Sequence, residues 1–314
     1  MTSQLPGNVD TPAPEHEAHG VSEIPPEGAA AGKPRSLTGD AWRDLRRNPV
    51  FIIAGIVLLL ILSMAVVPQL WTSVDPTLCD LSNSREGSQS GHPFGFDAQG
   101  CDLYSQVIHG ARNSIAIGLL VTAASLVIAV LFGTMSGFYG GWVDAVIQRI
   151  TDIFLAIPLI LGGILMLSRW GVHNVWTVSA ALVLWGGWTT QTRVMRGAVL
   201  SVKNSDYVQA ARALGASDAR IMFRHIMPNA IASVLVLATL LIGVIIGAEA
   251  ALTFLGVGLR YPAISWGVQL SEARTYFVSS PHLMVYPAAF LTVTVLAFIM
   301  IGDAVRDAFD PKLR

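Results

Sequence analysis

Side chains able to do chemistry are sparse in this sequence, and their spacing argues against covalent catalysis. The seven His are scattered, and no Ser/His/Asp elbow, HExxH run or Cys/His metal cluster is present. Gly28, Gly32 and Lys33 approximate a phosphate-binding loop. Only three residues separate the glycines where four are needed, however, Pro34 replaces the hydroxyl residue, and no strand precedes. The chain is therefore expected to have no catalytic residue, to bind no metal or cofactor, and to hold no ATP of its own. Two carboxylates draw notice by their surroundings, because Asp152 and Glu249 lie in long apolar runs where charge is costly. Arg149 and Asp152 share one helical face at i, i+3 and are expected to form a structural ion pair. Glu249 has two readings: it lines a polar pathway, or it holds the bend into the next loop by bonding backbone donors. Cys79 and Cys101 lie in one polar segment, as a disulfide or as two free thiols.

These residues must be positioned by membrane helices. Of 314 residues 53% are apolar and only 13% charged, against about a quarter charged in soluble domains, and mean hydropathy is +0.56. The expected fold is all-α and integral to a membrane, with six transmembrane helices near 50–67, 115–138, 142–167, 175–200, 231–255 and 283–302. Residues 1–36 read as a disordered cytosolic tail, lacking the basic start and apolar core of a signal peptide. Residues 37–68 read as an amphipathic segment with the first span, 69–110 as an extracytoplasmic loop, and 111–314 as a five-helix core. Pro158 should bend the third span. Gly133 with Gly137, and Gly243 with Gly247, have spacing for close helix contact, and Gly186–Gly187 permits either close packing or a bend. With the N-terminus inside, five of the twenty Lys and Arg fall outside (Arg85, Arg112, Arg169, Arg260, Arg274) and the rest inside. No basic stripe with interleaved aromatics is present, which argues against nucleic acid as a partner.

Residues 204–229 are the longest polar interruption of the apolar part. Asn204, Ser205 and Asp206 offer caps, and Asp206 with Gln209 has capping-box spacing. Tyr207, Ala210, Ala211 and Leu214 make one helical stripe. Gly215 can end that helix in a left-handed conformation, Ser217 can cap a second with Asp218 in its first turn, and Pro228 suits the start of the next. The stretch reads as helix, tight turn, helix, displayed for a partner protein.

QAARALG followed by HIMPN resembles the EAA motif of permease subunits in ATP-driven (ABC) importers, whose coupling helix sits in a groove of the ATPase subunit. Gln209 holds the Glu position, Ala210 and Ala211 the alanines, and Gly215 the glycine. The resemblance assigns ATPase coupling to Asp206, Tyr207, Gln209, Ala210, Ala211, Leu214, Gly215 and Ala216. Gln for Glu drops a charge, and with it any salt bridge to an ATPase arginine. A second motif resembles dipeptide and oligopeptide permeases through Gly95, Asp97, Gly100, Asp102, Gly110, Ala111, Arg112 and Ser114. Cys101 stands where that family usually has Arg, a departure that fits a disulfide-pinned loop. SWG at 265–267, SEAR at 271–274 and the C-terminal run resemble the same family.

The resemblance implies a MetI-like type I importer permease in a bacterial cytoplasmic membrane, with both termini cytosolic. Its partners would be a homologous second permease, two ATPase subunits that bind ATP and Mg, an extracytoplasmic binding protein and the lipid bilayer. The cargo would be di- or oligopeptides, and Glu249, if it lines the pathway, would meet a peptide amine. Alternatives are another cargo in the same class (nickel chelate, glutathione, sugar) or an ion-coupled secondary transporter using Asp152 and Glu249. The latter predicts inverted repeats, which the sequence lacks.

Overall fold

The computed structural model describes residues 37–309, so the tail expected at 1–36 lies outside the described residues. Every regular element among them is helical. Helix α1 is Leu37–Leu45 and α2 is Pro49–Val66. Asn48 starts α2: its side chain accepts from Val50 N at 2.9 Å and Phe51 N at 3.3 Å, and Pro49 occupies the first turn, where its missing N–H costs nothing. Helix α3, Leu103–Tyr139, begins well before the apolar run because Asp102 caps it, with Oδ2 accepting Ser105 N at 2.8 Å.

The third expected span is two helices, α4 (Gly141–Ala156) and α5 (Leu159–Trp170), bent by 83°. Pro158 causes the break. It brings no N–H, and it forces Ile157 out of the helical region to φ −101°, ψ 123°. The fourth is also interrupted. Helix α6 (Val175–Leu182) passes through a π turn, Val183–Gly187, before α7 (Thr189–Val202), and Gly186 sits there at φ +133°. Four described helices are long and apolar enough to cross a membrane. The bent pair would make a fifth, while Val175–Gly187 is shorter. The fold is that of an integral membrane protein.

Helix α3 packs against α7 most closely. A Cβ on Gly133 would lie 2.5 Å from Met195 Cβ, and one on Gly137 would lie 2.7 Å from Val199 Cγ1, so these positions admit no larger side chain without movement. Gly243 of α10 (Met227–Phe254) abuts Val295 O of α12 (His282–Phe309), whereas Gly247 meets nothing within 4 Å. Only the first of that expected pair is a contact. A buried apolar cluster of Phe138, Met195, Val199, Val208, Ile221 and Ile226 closes one end of the bundle. At the other, Leu103, Val107, Ile108, Trp266 and Leu283 pack α3 against α11 (Trp266–Ala273) and α12. Leu59, Val127, Trp142 and Leu165 are exposed, as lipid-facing side chains are.

Candidate coupling site

Helix α8, Asp206–Ala213, forms the first half of the interruption. The capping box expected from Asp206 and Gln209 does not form. Ser205 occupies the cap position, and its hydroxyl turns back to donate to Val202 O, so Asp206 begins the helix proper. A carboxylate there suits the dipole of the first turn. Gly215 sits at φ +78°, with Gly215 N bonded to Arg212 O at 3.0 Å and Ala216 N to Ala211 O at 3.1 Å. This pair of bonds is the Schellman motif, which satisfies carbonyls that a helix end leaves open. Ser217 Oγ accepts Arg220 N at 3.4 Å and starts α9 (Asp218–Arg220).

The two faces of α8 differ. Val208 is fully buried in the apolar cluster, whereas Tyr207 is 45% exposed and Leu214 88% exposed. Gln209 and Ala210 are exposed too, with Ala211 and Ala216 half-buried. The stripe of Tyr207, Ala210 and Leu214 thus points away from the bundle, and Val208 holds α8 to it. Sequence alone does not single out Val208, because one valine among alanines carries no periodic signal. Its burial follows from Ile221 and Met195, which meet it only in three dimensions.

After α9 the backbone makes a π turn, Ile221–Ile226, in which Met227 N bonds Met222 O. Pro228 lies just beyond, and its ring displaces the carbonyl four residues back, which favours the wider register upstream. Asn229 Nδ2 donates to His225 O at 2.6 Å. The segment runs without interruption from Asp218 to Phe254. The second short helix is therefore the start of the following span, not a separate element.

Polar contacts tie this end together. Arg196 of α7 grips Asp144 of α4 with Nε to Oδ1 and Nη2 to Oδ2, each 2.6 Å. Ser136 Oγ of α3 donates to the same Oδ1, and Gln148 Nε2 donates to Ser136 Oγ at 3.1 Å. Lys203, two residues before the α8 cap, reaches the carbonyls of Gly137 and Phe138 at the end of α3, where a cation is favoured. The expected Arg149–Asp152 pair is corrected. Asp152 bonds Arg193 of α7, and Arg149 is exposed. The i, i+3 geometry permitted the local pair, but α7 brings a competing guanidinium across the helix interface.

Glu249 is fully buried. Its Oε1 accepts from Thr253 Oγ at 2.9 Å, and that oxygen in turn accepts Leu259 N at 3.0 Å. The carboxylate thus reaches the following loop through Thr253, not by bonding backbone directly, and Oε2 has no partner. Cys79 and Cys101 are joined in a disulfide. The loop segment before α11 docks on α3 through Asn113 Nδ2 to Ile264 O at 2.8 Å and Trp266 Nε1 to Val107 O at 2.9 Å. Among the described residues no group of three or more His, Cys, Asp and Glu is placed to hold a metal. The arrangement can transmit force: an exposed helix–turn–helix is locked by its inner face to α3 and α7, and it is continuous with α10.

Comparison with known proteins gives this geometry a family. Residues 129–314 match the profile described as "binding-protein-dependent transport system inner membrane component". Residues 36–87 match the "N-terminal TM domain of oligopeptide transport permease C". The chain is 37% identical over 282 residues to the oligopeptide transport system permease protein OppC of Bacillus subtilis, covering 90% of this chain and 92% of that one. It is 36% identical over 274 residues to the glutathione transport system permease protein GsiD of Pectobacterium atrosepticum, covering 87% and 90%. Among solved structures, a chain of the inward-facing MetNI methionine ABC transporter aligns with a TM-score of 0.53 at 19% identity, over 65% of this chain and 96% of that one, which is a likeness of fold. With its apolar spans, its exposed stripe at Tyr207, Ala210 and Leu214, and identity above a third along nine-tenths of its length, the chain belongs to the family of binding-protein-dependent transport inner-membrane components, among the oligopeptide and dipeptide ABC permeases.

Proposed function

We propose that this chain forms half of the transmembrane pathway of an importer for di- or oligopeptides and acts as the lever between that pathway and the ATPase. The chain is a permease subunit, and ATP hydrolysis lies in separate subunits. The observation that carries the mechanical reading is the two-faced α8. Tyr207, Gln209, Ala210 and Leu214 are free to seat in a partner, while Val208 is buried against the bundle. Movement of an ATPase subunit that holds this stripe passes along the unbroken segment from Asp218 into α10, and through the paired Asp144–Arg196 into α4. A rigid connection is needed because a slack loop would absorb the displacement. The assembly holds a homologous second permease, two ATPase subunits with ATP and Mg, and an extracytoplasmic binding protein that delivers cargo. Residues 204–229 and both chain ends lie in the cytosol of a bacterial cell membrane, in keeping with the bias of Lys and Arg.

Similarity to glutathione permeases at 36% identity favours one second reading, a small peptide-like cargo of that kind. Affinity purification from native membrane tests the proposal. The chain should bring down an ATPase and a peptide-binding protein, and Ala211→Arg should lose the ATPase while leaving the spans folded. Labelling of Ala213 or Arg220 from outside intact cells would overturn the topology on which the lever depends.

A further inference from the structure

The end of the bundle remote from α8 holds an arrangement that force transmission does not use. Asp97, in the disulfide loop, is only 8% exposed. Its Oδ1 accepts the N–H groups of Gln99 at 2.9 Å and Cys101 at 2.8 Å, which fixes the carboxylate within the loop. Glu272 of α11 and Asp97 line a common cavity of about 10 Å³, together with Ala98, Leu103, Gln269, Ala273 and Leu283. That is the scale of one water or one ion. The same two carboxylates also border a wider vestibule of about 320 Å³ with Gln99, Gln106 and Tyr261. Among the described residues neither carboxylate has an ion pair with Lys, Arg or His. Gln269 is the third oxygen donor. It is 5% exposed, its Nε2 is committed to Gln106 O at 2.7 Å, and its Oε1 is buried with no partner. A buried amide oxygen in that state costs about 1–3 kcal/mol unless something completes it.

We propose that Asp97, Glu272 and Gln269 Oε1 form a site for one hard divalent cation of the calcium class, clamping the disulfide loop to α11. All the donors are oxygens, with no nitrogen or sulfur ligand, as hard cations require. Two carboxylates match a double positive charge, and waters entering from the vestibule complete the shell. The set differs from clusters of three or more acids and imidazoles, of which the described residues hold none. Burial and mutual repulsion of the two carboxyls raise the Glu272 pKa, which is the cost that a bound cation removes.

The test uses the full chain in lipid nanodiscs, stripped with EDTA and titrated at constant ionic strength with calcium, magnesium or sodium chloride. Calcium should raise the unfolding midpoint saturably and more than magnesium does. Terbium should bind with emission sensitised by Tyr261, which lines the vestibule. Glu272→Gln should weaken calcium at least about tenfold, and Gln269→Leu should weaken it less. Asp97→Asn alone is ambiguous, because Asp97 also holds loop N–H groups, so Glu272→Gln decides. Equal responses to all three salts, no terbium emission, or unchanged calcium affinity in Glu272→Gln would each overturn the site and leave a water in the cavity.

Discussion

Arg196 holds Asp144 through two parallel bonds of 2.6 Å, joining α7 to α4 across 52 residues of sequence. Only a planar guanidinium can make both bonds to one carboxylate. The pair is partly exposed, at 33% and 20%, so screening reduces its worth. Arg196→Lys keeps the charge and loses the fork. It should lower stability by about 1 kcal/mol, read as a lower unfolding midpoint in nanodiscs, and slow ATP-driven uptake more than it weakens ATPase binding. An unaltered uptake rate would remove the pair from the transmission path.

Gly215 offers a sharper probe of coupling. A Cβ there would meet nothing within 4 Å, so substitution costs only backbone conformation at φ +78°. Gly215→Val should cost about 1–2 kcal/mol of local helix-end stability. Gly215→Asn should cost much less, since Asn tolerates the left-handed region. Uptake should fall in the first variant and persist in the second, with similar amounts of protein in the membrane. Equal uptake in both would mean that the turn shape is irrelevant to coupling.

The Glu249–Thr253–Leu259 relay predicts a local effect. Thr253→Val removes the hydroxyl that serves both Glu249 Oε1 and Leu259 N, leaving two buried groups unpaired at about 1–3 kcal/mol. Hydrogen exchange at the Leu259 amide should speed up, while α8 amides stay as they were. If Leu259 keeps its protection, the relay does not hold the loop.

The carboxylate pair at the far end predicts a pH dependence. Burial first, then the charge of Asp97, raises Glu272, against a hydrogen bond from Gln99. Burial raises Asp97 too, against the N–H groups of Cys101, Gln99 and Gly100 and with a contribution from Asp102, itself bonded to His92. Arg85, whose guanidinium lies over the Tyr276 ring, is the cation nearest in the loop sequence. A carboxyl with a higher pKa folded than unfolded binds more protons in the fold. Its contribution is present below the unfolded pKa, about 4, and is lost as pH rises through the folded value. In EDTA, Glu272→Gln should therefore gain stability over the parent as pH rises from about 4 toward neutral. A difference in unfolding midpoint that is constant with pH would show that the carboxyl is unperturbed.

Cys79 and Cys101, 22 residues apart, should appear as one cross-linked peptide in digests made without reductant. Replacing both with Ser should cost about 3 kcal/mol in the chain-entropy model and leave ATPase co-purification intact. Two freely alkylated thiols would reject the bond in the native membrane.

Features set by a few consecutive residues were legible without coordinates. The apolar runs, the break at Pro158, the left-handed Gly215 and the Ser217 cap depend on local hydrophobicity and on φ preferences that belong to each residue type. The short helix at 206–213 and its exposed stripe of Tyr207, Ala210 and Leu214 were legible for the same reason, since the segment that makes them is contiguous. Tertiary structure decided what depends on which helices lie side by side. It gave Asp152 to Arg193 in place of Arg149, and Asp144 to Arg196. It buried Val208, and it set Asp97 of the loop facing Glu272 and Gln269 of α11. Side chains on one helix compete with those of every neighbour, and chain order does not record which neighbour arrives.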